Sequence, residues 1–140
     1  MISSRIAFAA LLVVLTGCNL RGGDPNICGQ TGSYMKAVIK HDQDIKNVDP
    51  DRKLELDNDL LSLCVREGAY RLAGAPDRAE TIATSVADSC DVPMMAVIID
   101  VATHSPSYAE VERSTKADAY KLALYDVLAA RSGHCTVKDD

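Results

Sequence analysis

The chain has 140 residues, enough for one domain and too few for two. Apolar residues make up 47% of it, the share of a globular protein rather than a disordered one. The net charge of −5 repels phosphate backbones, and no tryptophan is present to stack on bases, so the composition argues against nucleic acid as a partner.

The first 18 residues have the pattern of an export signal. Arg5 precedes an uninterrupted apolar run over residues 6–15, which is too short to span a bilayer core of about 30 Å. The run ends in Leu15-Thr16-Gly17-Cys18, and these four residues resemble the lipobox of bacterial lipoproteins. The resemblance implies that residues 1–17 are a signal peptide cut before Cys18, and that Cys18 is acylated and anchors the protein in a membrane. An ordinary secretory signal peptide is the alternative.

The segment after Cys18 predicts a tether. Asn19 stands where an Asp would favour the inner membrane, so the resemblance implies an outer-membrane lipoprotein facing the periplasm. Residues 19–26 are rich in glycine, proline and polar groups, which is typical of a flexible linker. We therefore divide the chain into a signal peptide at 1–17, a lipidated tether at 18–32 and a domain at 33–140. Removing the signal peptide takes away Arg5 and leaves a net charge of −6.

The domain is predicted to be all-α, because apolar residues recur at helical spacing and no stretch alternates as a strand would. The first helix is expected over about 33–48, capped by Ser33, with its apolar face formed by Met35, Val38 and Ile39. The second, over about 50–73, has Asp49 as its cap and Pro50 at its first position. Its predicted stripe contains Leu56, Leu60, Leu63, Cys64 and Leu72, and Gly68 suggests an interruption.

The third helix, over about 77–90, has the clearest pattern. Asp77 and Glu80 have the spacing of a capping box. Its apolar residues recur at steps of three and four and form one narrow stripe with many alanines, which predicts close approach to neighbouring helices. They are Ala79, Ile82, Ala83, Val86, Ala87 and Cys90.

The fourth helix, over about 93–104, is predicted to be the most buried. Met94, Val97, Ile98, Val101 and Ala102 share one face, which Met95 and Ile99 widen, and Asp100 is expected to point outward. The fifth, over about 107–132, begins with a capping box of Ser107 and Glu110 and stops at Gly133. Its predicted stripe comprises Ala117, Tyr120, Leu124, Val127 and Leu128.

Four cysteines remain once Cys18 carries the lipid, and export to an oxidising compartment predicts two disulfides. Of the three possible connectivities, we favour Cys64–Cys90 with Cys28–Cys135. Cys64 and Cys90 flank the turn at residues 74–76 at similar heights, and the other pair would tie the two ends of the bundle together. A zinc site is the alternative, but no two of these cysteines have the close spacing that zinc sites usually show.

No pattern of catalytic, metal-binding or cofactor-binding residues is evident. His41, His104 and His134 lack metal-site spacing, and we expect His41 among exposed charges and the other two at helix ends. Nucleophile-elbow and phosphate-loop motifs are absent. The aspartates around Asp42 and Asp44 lack the glycine of a calcium loop, and we expect a solvated acidic face there.

These features predict a lipid-anchored bundle of about five helices, pinned by two disulfides, that has no catalytic role and binds another protein of the envelope. Inhibitors, immunity proteins, exclusion proteins and assembly accessories share this description. Two alternatives remain. One is a carrier of a small ligand or lipid, with a cavity lined by Met94, Met95 and Ile99. The other is an envelope enzyme that uses two carboxylates with raised pKa values.

Overall fold

The computed structural model describes residues 33–105 and 107–133, and over these residues the chain is all-α, as predicted. Cys18, Cys28, Cys135, His134, the signal peptide and the tether lie outside the described residues. Five helices are present and no strand is found in the described ranges. They are α1 (Ser33–Asp44), α2 (Pro50–Leu72), α3 (Ala79–Ser89), α4 (Asp91–Ala102) and α5 (Tyr108–Arg131). A single 3-10 turn, Ile45–Asn47, follows α1, which therefore ends earlier than the sequence suggested.

Two of the predicted helix caps are confirmed. The Asp49 carboxylate accepts a hydrogen bond from the backbone N–H of Arg52 at 3.0 Å, and Pro50 occupies the first turn of α2. The Ser107 hydroxyl accepts one from the N–H of Glu110 at 3.3 Å. Each cap satisfies an N–H group that a helix start leaves without an intrahelical partner.

The predicted capping box of α3 is wrong. The helix begins at Ala79, and its cap residue Arg78 makes no side-chain hydrogen bond to the helix start. Asp77 belongs to the preceding turn, where its carbonyl accepts a hydrogen bond from the Arg131 guanidinium at 2.6 Å. Arg131 also donates to the carbonyls of Ala73 and Ala75 at 2.9 and 2.8 Å. One side chain from the end of α5 thus holds the turn between α2 and α3.

The core lies among α2, α3, α4 and α5. The apolar stripe predicted for α3 is confirmed, since all six of its residues are buried. α2 runs continuously through Gly68, where a Cβ atom would lie 3.1 Å from Cγ1 of Val86. This glycine allows α2 and α3 to approach closely, so it serves packing and does not interrupt the helix.

Several predicted apolar faces are wrong. α3, rather than α4, has the larger buried share, and Met95 and Ile99 of α4 are exposed. In α5 the buried residues are Val111, Ala119, Ala123, Asp126 and Val127, whereas Leu128 and Ala117 are exposed, as is Leu72 of α2. α1 packs chiefly against α2, so Met35 and Ile39 remain exposed, Met35 by 65%.

Cys64 of α2 and Cys90, between α3 and α4, form a disulfide in the structure, with Cα atoms 5.9 Å apart. This is the favoured pairing, and it ties the junction of α3 and α4 to the middle of α2. In the described ranges, no single helix is long and apolar enough to cross a membrane. α3 and α4 meet that requirement only as a pair bent by 67°.

Candidate functional site

An exposed apolar surface lies on the outer side of α4. We call it the α4 face; it consists of Val92, Met95 and Ile99, together with Tyr108 at the start of α5. The three α4 residues are spaced three and four apart and therefore share one side of the helix. Val92 is 76% exposed and Ile99 54%. Met95 and Ile99 were expected in the core, because the sequence of α4 is apolar nearly all round and does not show which side is covered.

The α4 face is held on a fixed support. The Tyr108 hydroxyl donates a hydrogen bond to Sδ of Met95 at 3.3 Å, which joins α5 to α4 within the surface. Cys90 anchors the start of α4 through the disulfide. At the other end, Asp100 binds the ammonium group of Lys53 on α2 at 2.6 Å. Both ends of the helix are therefore fixed to α2.

A pocket of about 230 Å³ opens beside this face, between α3, α4 and α5. Met94 and Tyr120 are among its apolar lining, and Asp88, Asp91 and Lys116 are its charged groups. Its volume is below the roughly 300–1,000 Å³ of most small-molecule sites, and Met95 and Ile99 do not line it. Met94, Met95 and Ile99 therefore do not line one cavity, as the carrier alternative required.

An ionic cluster joins three helices and was missed by the sequence analysis. Asp57 of α2 is 1% exposed and accepts hydrogen bonds from Nε2 of His41 at 2.6 Å and from Nζ of Lys53 at 2.7 Å. Lys53 also binds Asp100, so α1, α2 and α4 meet here. His41 was expected among exposed charges, but its side chain is only 15% exposed and Asp57 is buried, whereas Asp42 of the predicted acidic face is exposed. Asp100 is half-buried and ion-paired rather than pointing freely outward.

The charges of this cluster are mutually stabilising. Burial alone would raise the pKa of Asp57, but hydrogen bonds from Lys53 and His41 outweigh burial and hold that pKa below its usual value. Burial likewise opposes the charged form of Lys53, and its bonds to Asp100 and Asp57 raise its pKa. These side chains therefore act as a structural clamp that joins α1, α2 and α4.

A second buried carboxylate, Asp126 of α5, lies near Arg66 and Tyr70 of α2. Its Oδ2 atom is 3.8 Å from Nε of Arg66, beyond hydrogen-bond distance, and the Tyr70 hydroxyl has no hydrogen-bond partner in the described part of the chain. Burial raises the pKa of Asp126, and burial with the nearby carboxylate raises the pKa of Tyr70 to about 12.

The two buried carboxylates do not form the pair that the enzyme alternative requires. Asp57 and Asp126 belong to separate clusters, and only the pKa of Asp126 is raised. His104 lies just beyond the end of α4, as predicted, with Nδ1 2.8 Å from the Thr103 hydroxyl. Among the described residues, no three His, Cys, Asp or Glu side chains are grouped to hold a metal ion.

Comparisons with known proteins found no matching protein-family model, no matching curated protein and no matching solved structure. The features of the described residues that bear on function are the α4 face, the pocket beside it and the two buried clusters.

Proposed function

We propose that this chain is a lipid-anchored protein of the bacterial envelope whose helical domain binds another protein through the α4 face, and that it has no catalytic role. The observation that carries the proposal is the exposed row of Val92, Met95 and Ile99 on a helix whose two ends are fixed. Exposed apolar groups that cluster in this way are typical of protein interaction sites.

The energetics favour this use. Fully burying a side chain the size of valine, methionine or isoleucine contributes about 1.5–3 kcal/mol, and these three retain much of that gain for a partner. Because the disulfide and the Lys53–Asp100 pair already fix α4, little conformational entropy remains to be lost on binding.

The anchor and the second disulfide complete the proposal. Acylation of Cys18 would hold the domain at the outer membrane, on its periplasmic side, through the tether of residues 18–32. Cys28 and Cys135 would join the two ends of the domain in the same oxidising compartment. The four-residue match to the lipobox and the disulfide between Cys64 and Cys90 support this part.

The test is site-specific photo-crosslinking in intact cells of the source bacterium. A photoreactive residue at Ile99 is expected to yield one discrete adduct, and the same residue at Tyr125, exposed on α5, serves as the matched control. The adduct is identified by mass spectrometry, and its protein is then purified and titrated against the intact lipoprotein.

Val92→Ser and Ile99→Ser are each expected to weaken that binding about tenfold without lowering the melting temperature, because both residues are exposed. Equal adduct yields from Ile99 and Tyr125, or unchanged affinity in both serine variants, would rule out the α4 face as the binding surface.

A further inference from the structure

The pocket beside the α4 face has the size and lining of a site for one side chain. Its volume of about 230 Å³ exceeds the roughly 150 Å³ of a cavity that admits benzene. Asp91 lines the pocket and Met95, four residues later on α4, belongs to the α4 face, so the two surfaces meet on one side of the helix. A protein lying on the α4 face would therefore pass beside the pocket.

The acidic groups of the pocket have no direct ion pair among the described residues, although the charge of Lys116 attracts Asp88 from a longer distance. Asp88 and Asp91 form no ion pair or hydrogen bond with any residue in the described ranges, whereas Nζ of Lys116 is bound to Glu112 at 2.6 Å. Asp88 also lies in the last turn of α3, where the helix dipole is negative and a carboxylate is unfavourable. The exposed carboxylate of Asp88 is therefore placed against the helix dipole, and the longer-range attraction of Lys116 opposes that cost.

We propose that this pocket receives an arginine or lysine side chain from the protein that docks on the α4 face. The aliphatic stem would lie against Met94 and Tyr120, and the cation would face Asp88 and Asp91. The ring of Tyr120 would add a cation–π contact with the charged end of that side chain. Lys116 attracts both Glu112 and Asp88, and the four groups Asp88, Asp91, Glu112 and Lys116 together carry a formal net charge of −2, which favours a cation at this site. This assignment rests on the proposed function and adds the chemistry of the partner.

The overall charge fits such a partner. The chain carries −6 once residues 1–17 are removed, so a basic protein is attracted and an acidic one repelled. An amphipathic segment with apolar residues along one side and an arginine or lysine at its edge matches both the α4 face and the pocket.

Methionine methyl groups provide a direct test, because the three methionines of the domain lie in three different places. Met94 lines the pocket, Met95 is on the α4 face, and Met35 is on α1. The full lipidated protein, labelled with ¹³C at its methionine methyls and held in nanodiscs, is titrated with arginine capped at both ends. Capped citrulline, which has nearly the same shape and no charge, is the control ligand.

The expected result is a saturable shift of the Met94 resonance with capped arginine, a much smaller one with capped citrulline, and none at Met35. The double variant Asp88→Asn/Asp91→Asn should bind capped arginine about tenfold more weakly. Asp51→Asn/Asp118→Asn removes the same charge from exposed positions on α2 and α5 and should change the affinity less than twofold.

Three outcomes would overturn the assignment: no saturable shift at Met94, equal shifts with citrulline, or equal weakening in the two double variants. Tighter binding of a free diamine than of capped arginine would indicate a small-molecule site. The proposal that the pocket receives a side chain of a partner protein would then be wrong. The crosslink at Ile99 is scored separately. If the crosslink persists while capped arginine does not bind, this inference fails and the proposed function stands. If capped arginine binds but Ile99 yields no discrete adduct, the proposed function fails.

Discussion

Replacing Asp57 with alanine should destabilise the domain through the cluster that joins α1, α2 and α4. The change leaves His41, whose side chain is 15% exposed, without its hydrogen-bond partner, and it removes one of the two carboxylates that bind Lys53. Removing one member of a buried ion pair costs about 3–5 kcal/mol. Since Lys53 is about one-third exposed and keeps Asp100, we expect a loss of about 2–3 kcal/mol.

The assay is urea unfolding followed by far-UV circular dichroism, with the slope of the transition used to check that both variants unfold in the same way. Asp59→Ala removes an exposed carboxylate two residues along the same helix and should change the unfolding free energy by less than about 0.5 kcal/mol. Asp57→Ala should also expose α1 to limited proteolysis, because α1 packs chiefly on α2 and His41 joins it to the cluster.

The pH dependence follows from the same carboxylate. The hydrogen bonds from Lys53 and His41 hold the pKa of Asp57 lower in the folded state than its usual value, so its contribution is present above that usual value and is lost as the pH falls through the folded pKa. The difference in stability between the wild type and Asp57→Ala should therefore shrink in acid. Equal losses in the Asp57 and Asp59 variants, or a difference that does not depend on pH, would refute the reasoning.

Three other predictions use the same unfolding assay. Cys64→Ala/Cys90→Ala should lower stability by about 3.5 kcal/mol, since it opens a loop with a sequence separation of 26 residues; a loss under about 1 kcal/mol would contradict this. Gly68→Ala should lose about 1 kcal/mol despite better helix propensity, because its Cβ would press on buried Val86, whereas Gly74→Ala, with nothing within 4 Å, should be nearly neutral. Arg131→Ala should cost about 1–3 kcal/mol because three turn carbonyls lose their donor, and Arg71→Ala, an exposed ion-pair partner of Glu67, under about 1 kcal/mol.

The features that the sequence predicted well are those determined by neighbours along the chain. Asp49 and Ser107 cap helices because their side chains reach an N–H group three residues ahead. Likewise, Glu67 and Arg71, and Glu112 and Lys116, are four residues apart, the spacing of helix ion pairs, and they are paired at 2.5 and 2.6 Å. The stripe of α3 was correct because its other side is polar, so only one face can be buried.

Features that depend on distant partners were missed. Asp57 and Asp126 are hydrophilic, yet each lies in line with buried residues of its helix: Asp57 is four residues before Leu61, and Asp126 is three after Ala123. That periodicity was the available signal, but the partner of Asp57 on α1 is known only once the helices are packed. Met35 and Ile39 show the converse. Their apolar face predicted a buried contact, but both side chains remain exposed among the described residues.

The central claim is that the chain is exported, acylated on Cys18 and held by disulfides while it binds through the α4 face. Intact-mass spectrometry of the protein purified from its own membranes, with thiol alkylation before and after reduction, tests this most directly. The account predicts a chain that begins at Cys18 with added acyl mass, no alkylation before reduction and four alkylated cysteines after it. An amino terminus at Met1, or alkylation of Cys64 and Cys90 without reduction, would contradict it.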